Sequence, residues 1–172
     1  MDRAAGAAEA PPKETPASFE DFFEAERHRL HGALTLMTAS VHEAEELVQD
    51  AFLTVWERWD RVREMERPDG YLYRVAMNAF RRRRRRLRLD LRLRAAVEDA
   101  PDPFARVAAG DAAARALAVL PRRERAALVL TEMLDFDSNE AGELLRIKPS
   151  TVRVLAHRAR ERVRREIGDD DG

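Results

Sequence analysis

The chain has 172 residues and a formal net charge of −1, with 31 basic residues against 32 acidic ones and no cysteine. The absence of cysteine excludes disulfides, a thiol nucleophile and cysteine-ligated zinc. The longest apolar runs fall far short of the ~18 residues needed to cross a bilayer, and the N-terminus lacks the basic start and apolar stretch of a signal peptide. We therefore expect a cytoplasmic protein with no membrane partner.

Near-neutrality hides two opposed segments. Residues 1–60 carry 13 acidic and 5 basic residues, net −8, whereas residues 61–94 carry 4 acidic and 13 basic residues, net +9. This asymmetry indicates a polyanion partner at the basic segment. Val, Ile and aromatic residues are scarce beside Ala, Leu, Arg and Glu, which favours an all-α fold.

Changes in periodicity along the chain predict two small helical domains joined by a flexible linker. Ala, Pro and Asp replace the apolar helical spacing in the linker, and the two terminal segments lack that spacing. The predicted order is a disordered tail (1–18), a first helical domain (19–88), the linker (89–110), a second helical domain with a helix-turn-helix (111–167) and an acidic tail (168–172).

Three helices are predicted in the first domain. The first begins at Phe19 with Ser18 as its N-cap, and the second runs over residues 41–59. Turn-forming residues at 67–70 mark a break. The third helix begins near Tyr71 and continues into a run of six Arg.

The second domain is predicted to contain a helix-turn-helix. A helix over 121–134 comes first, opened by its proline. A short helix at about 140–145 then precedes a longer basic helix, Pro149–Ile167. Gly142 is small where these two helices approach closely. Arg146 occupies the turn position that usually holds Gly, and a positive φ there costs a non-Gly residue on the order of 1 kcal/mol.

The outward face of the last helix carries candidate contacts to duplex DNA. Small polar residues near a helix start can contact bases or phosphates, and Arg can pair bidentately with guanine in the major groove. The alternative is an ordinary helical hairpin with a solvated basic face. The candidate residues are Ser150, Thr151, Arg153, Val154, His157, Arg158 and Arg160.

Aromatic and basic residues interleave in the stretch 70–88. Aromatic rings can stack on unpaired bases while Arg contacts phosphate, so the stretch predicts binding of single-stranded nucleic acid. The alternative is an apolar core face ending in a solvated Arg run, but six adjacent like charges repel one another unless a polyanion screens them. The candidate residues are Tyr71, Tyr73, Arg74, Asn78, Arg81 and Arg82.

The second helix places carboxylates beside apolar residues. Paired carboxylates can serve acid–base catalysis, but no partner is positioned to complete a catalytic site, and the pair His28 and His31 lacks an obvious third metal ligand. We therefore predict no enzyme activity, no metal and no cofactor. The face is either solvated or a docking surface for a protein, although we expect Trp56 and Trp59 to lie largely in the core.

Four segments together resemble bacterial RNA polymerase sigma factors of the extracytoplasmic-function class (group IV of the sigma-70 family), which have regions two and four only. The first segment is similar to the family core "AEDLVQE.F…W", the second to "WLYRIARN" and the last to "GTVKSRLHRARK". Their order and spacing agree as well. The segments are HEAEELVQDAFLTVWERW (42–59), DGYLYRVAMNAFRRR (69–83), LPRRERAALVL (120–130) and STVRVLAHRARERV (150–163).

The resemblance implies an alternative sigma factor that binds core RNA polymerase and directs promoter-specific initiation. The loop 64–70 and the helix over 71–82, including Asn78, would capture the melted −10 strand, with one base flipped into a pocket of the loop. The helix over 149–162 would read the −35 duplex. An anti-sigma protein is implied as a further partner, and a small-molecule substrate is not. The residues implied to contact the clamp of the largest polymerase subunit are Leu47, Gln49, Asp50, Phe52 and Trp56.

Two other functions compete with this interpretation. A stand-alone helix-turn-helix regulator would bind duplex operators without polymerase, but it leaves the motif at 71–83 unexplained. A helical adaptor or RNA-binding protein would use the Arg run non-specifically. If the sigma interpretation holds, two weak DNA modules on a linker gain affinity only when polymerase fixes their spacing, so the free protein should bind promoter DNA poorly.

Overall fold

The computed structural model describes residue 16 and residues 18–93, 116–117 and 119–170. Within these ranges the chain is helical and contains no strand, which confirms the predicted all-α class. A five-residue π-helical turn, Val129–Met133, continues the fifth helix directly. The helices are α1 (Phe19–Thr38), α2 (Val41–Trp56), α3 (Trp59–Val62), α4 (Pro68–Leu93), α5 (Arg122–Leu128), α6 (Ser138–Leu145) and α7 (Pro149–Asp170).

Polar caps fix the start of the first two helices. The Ser18 hydroxyl accepts a hydrogen bond from the Asp21 amide at 3.1 Å, which confirms the predicted N-cap of α1. Ser40 caps α2 in the same way, accepting from the Glu43 amide at 3.2 Å. Ala39 lies between the two helices with φ of 59°, and this left-handed residue ends α1 and turns the chain into α2.

The second helix is shorter than predicted. It ends at Trp56 instead of Trp59, because Arg58 leaves the helical conformation and α3 starts a new direction. The break turns the Trp59 ring back onto Phe19 and Phe22, with ring centroids 5.6 and 5.3 Å apart. Trp56 stays on the outer side and is 59% exposed, so the expectation that both tryptophans lie in the core is wrong for Trp56.

The fourth helix is longer than predicted at both ends. It starts at Pro68, since proline is well tolerated in the first helical turn. The residues predicted as a turn therefore form that first turn. The helix continues to Leu93, so the predicted boundary at residue 88 falls inside it. The remainder of the predicted linker, 94–110, lies outside the described residues, as does the predicted N-terminal tail up to residue 15.

The second helical unit also differs from its prediction at element ends. Pro121 is the N-cap of α5 and not its first residue. Asp137 caps α6 in a complete capping box with Glu140, so this helix begins two residues before the predicted start. Helix α7 begins at Pro149 as predicted, but it extends past Ile167, and of the predicted acidic tail only 171–172 lie outside the described residues.

The two helical units share a buried interface. Buried side chains of α1, α2 and α4 form one continuous apolar cluster with residues of the π-helical turn, α6 and α7. The Tyr73 and Phe136 rings meet edge to face, with centroids 5.3 Å apart. At the edges of this interface, Arg29 pairs with Asp135 at 2.8 Å.

The helix-turn-helix depends on a close approach at Gly142. A Cβ atom at this position would lie 2.8 Å from the Ile147 carbonyl oxygen and 3.4 Å from the Pro149 nitrogen, and both are backbone atoms that cannot yield locally. The Ile147 amide donates to the Gly142 carbonyl at 3.0 Å. Arg146 has φ of 56° and ends α6, so the turn takes the left-handed geometry even without glycine.

We therefore expect Gly142→Ala to lower the free energy of unfolding by roughly 1–3 kcal/mol, because overpacking outweighs the gain in helix propensity. Urea unfolding followed by circular dichroism measures the change. Gly70→Ala is the matched control, since its Cβ would lie at an ordinary 3.4 Å from the Arg67 Cβ. A Gly142→Ala protein as stable as the control would refute this account of the turn.

Candidate nucleic-acid and protein interfaces

Helix α4 divides its residues between a core face and a cleft face. Leu72, Ala76 and Phe80 are buried and lie on the side that packs on α2 and α6. The cleft face holds four of the six residues predicted to bind a single strand. Their spacing of three or four residues places them in one stripe along the helix. They are Tyr71, Arg74, Asn78 and Arg81.

Tyr73 does not belong to that stripe, and its prediction as a strand-binding residue is corrected. Its side chain is 2% exposed. The phenol donates a buried hydrogen bond to the Glu26 carboxylate at 3.0 Å, and burial together with the Glu26 charge raises the pKa of Tyr73. The signal was present in the sequence, because Tyr73 is spaced three, four and seven residues from Ala76, Met77 and Phe80.

The cleft lies between α4 and α6 and has a volume of about 710 Å³. The Tyr71 hydroxyl accepts a hydrogen bond from Arg58 at 3.1 Å, and Asn78 accepts one from Arg81. Burial lowers the pKa of Arg81, and the nearby positive charge of Arg146 adds to this. Arg82 is exposed, but it does not line the cleft.

Three basic residues of the cleft, Arg61, Arg67 and Arg146, were not among the predicted site residues, although Arg67 lies in the loop that the resemblance implied for strand capture. Arg61 and Arg67 precede α4 and lie in the same wall as Arg74. The Arg67 guanidinium contacts Asp69 at 3.3 Å and Glu140 at 2.8 Å, and hydrogen bonding to Asp69 raises its pKa despite partial burial. Arg61 and Arg67 both lie outside the predicted helices, and Arg67 lies in the predicted turn, so helical spacing does not place either of them on the cleft face.

The recognition face of α7 is open to solvent. Val152, Ala156 and Ala159 are buried against the rest of the fold. Six of the seven residues predicted to read duplex DNA are exposed. Arg160 is the exception, since it is half-buried and pairs with Glu132 at 2.6 Å. The exposed residues are Ser150, Thr151, Arg153, Val154, His157 and Arg158.

The predicted polymerase-binding face of α2 is only partly at the surface. Leu47 and Phe52 are 2% and 4% exposed and belong to the core, so their prediction as contact residues is corrected. Gln49, Asp50 and Trp56 are exposed. Leu53, which was not predicted, is 54% exposed and lies one helical turn from Trp56. Gln49, Leu53 and Trp56 are four and three residues apart, so they lie along one exposed side of α2, which we call its outer stripe.

The run of six Arg is partly compensated within the fold. Arg83 of α4 pairs with Glu46 and lies 3.6 Å from Glu43, both on α2. Arg84 stacks over the Phe80 ring at 5.6 Å. The Arg83 ion pairs join the basic end of α4 to α2, and Arg84 packs on a ring of its own helix. The arginine run is therefore not simply a solvated helix end.

Two features of other protein classes are absent from the described residues. No group of three or more His, Asp or Glu side chains there is arranged to hold a metal ion. No helix in the described ranges is both long and apolar enough to cross a membrane.

Family models match both helical units. The model for Sigma-70 region 2 matches residues 22–89, and the model for Sigma-70 region 4 matches residues 111–163. Among similar proteins, the ECF RNA polymerase sigma factor SigM of Mycobacterium tuberculosis is 29% identical over 159 residues, which are 88% of this chain and 78% of that protein. SigW of Bacillus subtilis is 25% identical over 168 residues, or 88% and 90% of the two chains.

The fold is similar to that of a solved sigma factor. The sigma factor RpoE, in its co-crystal structure with the anti-sigma factor NepR from Bartonella quintana, matches with a TM-score of 0.66 and 20% sequence identity. The match covers 87% of this chain and 98% of that one.

The first helical unit is thus a Sigma-70 region 2 and the second a Sigma-70 region 4, and the chain belongs to the sigma-70 family. Within that family it is an alternative sigma factor of the extracytoplasmic-function class, a non-catalytic subunit that directs promoter-specific transcription. The match to region 2 accounts for the motif at 71–83, which a stand-alone helix-turn-helix regulator left unexplained.

The buried phenol of Tyr73 makes a prediction for stability at high pH. Its pKa in the folded protein is raised above the ordinary value of about 10. A raised pKa contributes stability that is complete below that ordinary value and is lost as pH rises above it. We expect Tyr73→Phe to be less stable than the wild type at pH 8, by about 1–3 kcal/mol, and to lose less stability between pH 9.5 and 11.

Urea unfolding at a series of pH values measures both effects. Tyr71→Phe removes the only other tyrosine of the chain and is the matched control. It should keep the wild-type loss of stability at high pH. An equally steep loss in Tyr73→Phe would show that Tyr73 does not carry the dependence.

Proposed function

We propose that this sigma factor divides promoter recognition among three surfaces. The outer stripe of α2 binds the clamp of the largest subunit of core RNA polymerase. The cleft face of α4 captures and holds the melted −10 strand. The exposed face of α7 reads the −35 element as duplex. Each surface belongs to a separate helix, so each can be tested by substitutions that leave the other two intact.

The observation that carries the proposal is the apolar stripe left uncovered on α2. Leu53 and Trp56 are more than half exposed on a helix whose opposite side is fully buried. Large exposed apolar and aromatic side chains are typical of protein interfaces. Gln49 and Asp50 lie beside them and would supply the polar rim.

The cleft face of α4 supports strand binding through its composition. Tyr71 offers a half-buried ring on which an unpaired base can stack. Asn78 can hydrogen-bond a base edge, while Arg74 and Arg81 supply charge for the phosphates. Arg82, on the exposed side of the helix, would contact the DNA backbone outside the cleft. Tyr73 lies on the buried side of α4, and its hydrogen bond to Glu26 would help to hold the helix that carries this surface in position.

The exposed face of α7 supports duplex reading. Ser150 and Thr151 stand at the start of the helix, where recognition helices contact bases and phosphates. Arg153, His157 and Arg158 follow along the same exposed side. Arg160 is engaged with Glu132 and would contribute less.

An anti-sigma protein and a cytoplasmic location complete the proposal. The structural relative named above was solved with an anti-sigma factor, and its fold likeness covers most of this chain. Core polymerase and promoter DNA occupy the bacterial cytoplasm, and a chain without cysteine is suited to a reducing compartment.

The first test is transcription in vitro with purified bacterial core polymerase. Wild-type protein should direct promoter-dependent transcripts from a fragmented genomic template. Leu53→Asp and Trp56→Ala should each weaken binding to core polymerase by at least tenfold, because they remove apolar area from the centre of the docking stripe. Fluorescence anisotropy of labelled protein measures this affinity.

Val119→Asp is the matched control for docking. Val119 is 53% exposed, like Leu53, but it lies in the other helical unit. It should bind core polymerase as the wild type does. Absence of any promoter-dependent transcript with the wild type would contradict the proposed function, and equal losses in Val119→Asp and Leu53→Asp would contradict the assigned docking surface.

The second test compares two arginines of α7. Arg153→Ala should reduce transcription from an identified promoter about tenfold, since a bidentate contact to a base is worth about 1–3 kcal/mol. Arg160→Ala should reduce it far less, because Arg160 is held by Glu132. Initiation rates on templates with an intact or a scrambled −35 element show whether the loss depends on that element. A larger effect of Arg160→Ala would reverse the assignment.

A further inference from the structure

One exposed side of α7 is polar except for a single residue. Val152, Ala156 and Ala159 are buried on the opposite side of the helix. The exposed side is the surface that we assign to duplex reading. Its residues are Ser150, Thr151, Arg153, Val154, His157 and Arg158. Five of them carry a hydroxyl, an imidazole or a guanidinium group, and Val154 is the exception.

Val154 lies at the centre of this surface. A helix places residues three and four positions apart on the same side. Ser150 and Thr151 therefore lie one turn before Val154, and His157 and Arg158 lie one turn after it. The Val154 side chain is 48% exposed. A duplex that contacts the polar residues of both turns therefore also meets the methyl groups of the valine.

Packing does not account for a valine at this position. Val152, two residues earlier, is fully buried and belongs to the apolar core. Val154 is not among the residues that pack against either buried cluster in the described part of the chain. Valine is also a weaker helix former than Ala or Arg, because its branched Cβ loses side-chain freedom in a helix. A lone apolar residue on a surface is common, but this one interrupts a surface that is otherwise polar.

The major groove of DNA offers one apolar group that a valine can contact. All four base pairs present hydrogen-bond donors and acceptors there, and among the four ordinary bases thymine alone adds a methyl group, at C5. The valine side chain neither donates nor accepts hydrogen bonds, so it cannot read the polar groups of a base edge. Its contact with a thymine methyl group would remove apolar surface of both partners from water.

The composition of α7 leaves A·T pairs to be recognised from the thymine side. Adenine is read in the major groove mainly by the amide groups of Asn or Gln. The helix, Pro149–Asp170, contains neither residue type. Arg153 and Arg158 are suited to guanine, which offers two acceptors to a guanidinium group. The exposed side of α7 therefore has readers for guanine, lacks the usual reader for adenine and offers Val154 for thymine.

We propose that Val154 is a specificity-determining residue that packs against the C5 methyl group of one thymine in the −35 duplex. The inference rests on the proposed function of α7 and names a base that this surface selects. Thr151 carries the other methyl group of the exposed side. It lies nearer the helix start and has a hydroxyl group that can contact a phosphate or a base edge.

The test removes one methyl group from the DNA and shortens one side chain of the protein. Promoters found by transcription in vitro supply duplexes with a functional −35 element. Each thymine of that element is replaced in turn by uracil, which lacks the C5 methyl group and keeps every hydrogen-bonding group. Thymine and uracil duplexes then compete for a limiting amount of holoenzyme, reconstituted from core polymerase with wild-type or Val154→Ala protein.

We expect uracil at one position to lower the affinity for wild-type holoenzyme about threefold to fourfold, the value of one buried methyl group. With Val154→Ala, the same replacement should lower the affinity less than about twofold, since the shorter side chain leaves the thymine methyl group largely uncovered. Loss of that methyl group also changes the shape and stiffness of the duplex. This effect does not depend on residue 154 and persists in the variant, so the difference between the two proteins isolates the contact.

Two further variants are controls. Val119→Ala is the same substitution at a position that is 53% exposed and lies outside α7, and it should discriminate against uracil as the wild type does. Thr151→Ser removes the other methyl group of the surface and should keep the discrimination that Val154→Ala loses. Val154→Ala itself should fold normally, because the site is exposed and alanine is the better helix former.

The outcomes separate this inference from the proposed function. If scrambling the −35 element leaves initiation by the wild-type holoenzyme unchanged, α7 does not read that element, and the proposed function fails together with the inference. If the element matters but uracil has the same effect on wild type and Val154→Ala, or no effect on either, the inference alone is wrong. Loss of discrimination in Thr151→Ser instead of Val154→Ala would likewise assign the methyl contact to Thr151 and overturn the proposal.

Discussion

The helical repeat of α4, which decides which side chains face the core and which face the cleft, is the constraint on which the rest of the structure depends. A helix repeats every 3.6 residues, so a segment that must bury one stripe and expose another has little freedom in assigning side chains. Leu72, Tyr73 and Phe80 fall on the buried stripe, while Tyr71 and Asn78 fall on the cleft stripe. The core of the first unit and its proposed DNA surface are therefore two sides of one helix.

This constraint explains why Tyr73 cannot both pack in the core and line the cleft. Two tyrosines two residues apart project to nearly opposite sides of a helix, so one can line the cleft only if the other turns away from it. The hydrogen bond to Glu26 lets the buried ring keep its hydroxyl in an apolar setting, where an unpaired phenol would cost free energy. A change at Tyr73 would therefore reach the cleft through the position of the helix.

Local signals made much of the fold predictable. The caps, the helical periodicity and the turn around Gly142 are set by residues a few positions apart, and these predictions needed adjustment mainly at element ends. The exposure of Trp56 was missed, because the break after it arises when Trp59 packs against α1. The interface between the units was also beyond local reasoning. Its contact from Arg67 to Glu140 joins residues 73 positions apart, and no periodicity reports such a pair.

The segregation of charge along the sequence acquires a physical role in the folded chain. Arg83 in the basic run is paired with the acidic α2, and Arg67 ahead of α4 is paired with α6. If DNA binds at these arginines, it must displace a carboxylate, and the released carboxylate must then be hydrated or find another partner. Binding is thus an exchange of anions, and its net gain is smaller than that of phosphates meeting free arginines. If the sigma factor binds promoter DNA weakly without polymerase, as the sequence predicts, this exchange of partners accounts for part of the weakness.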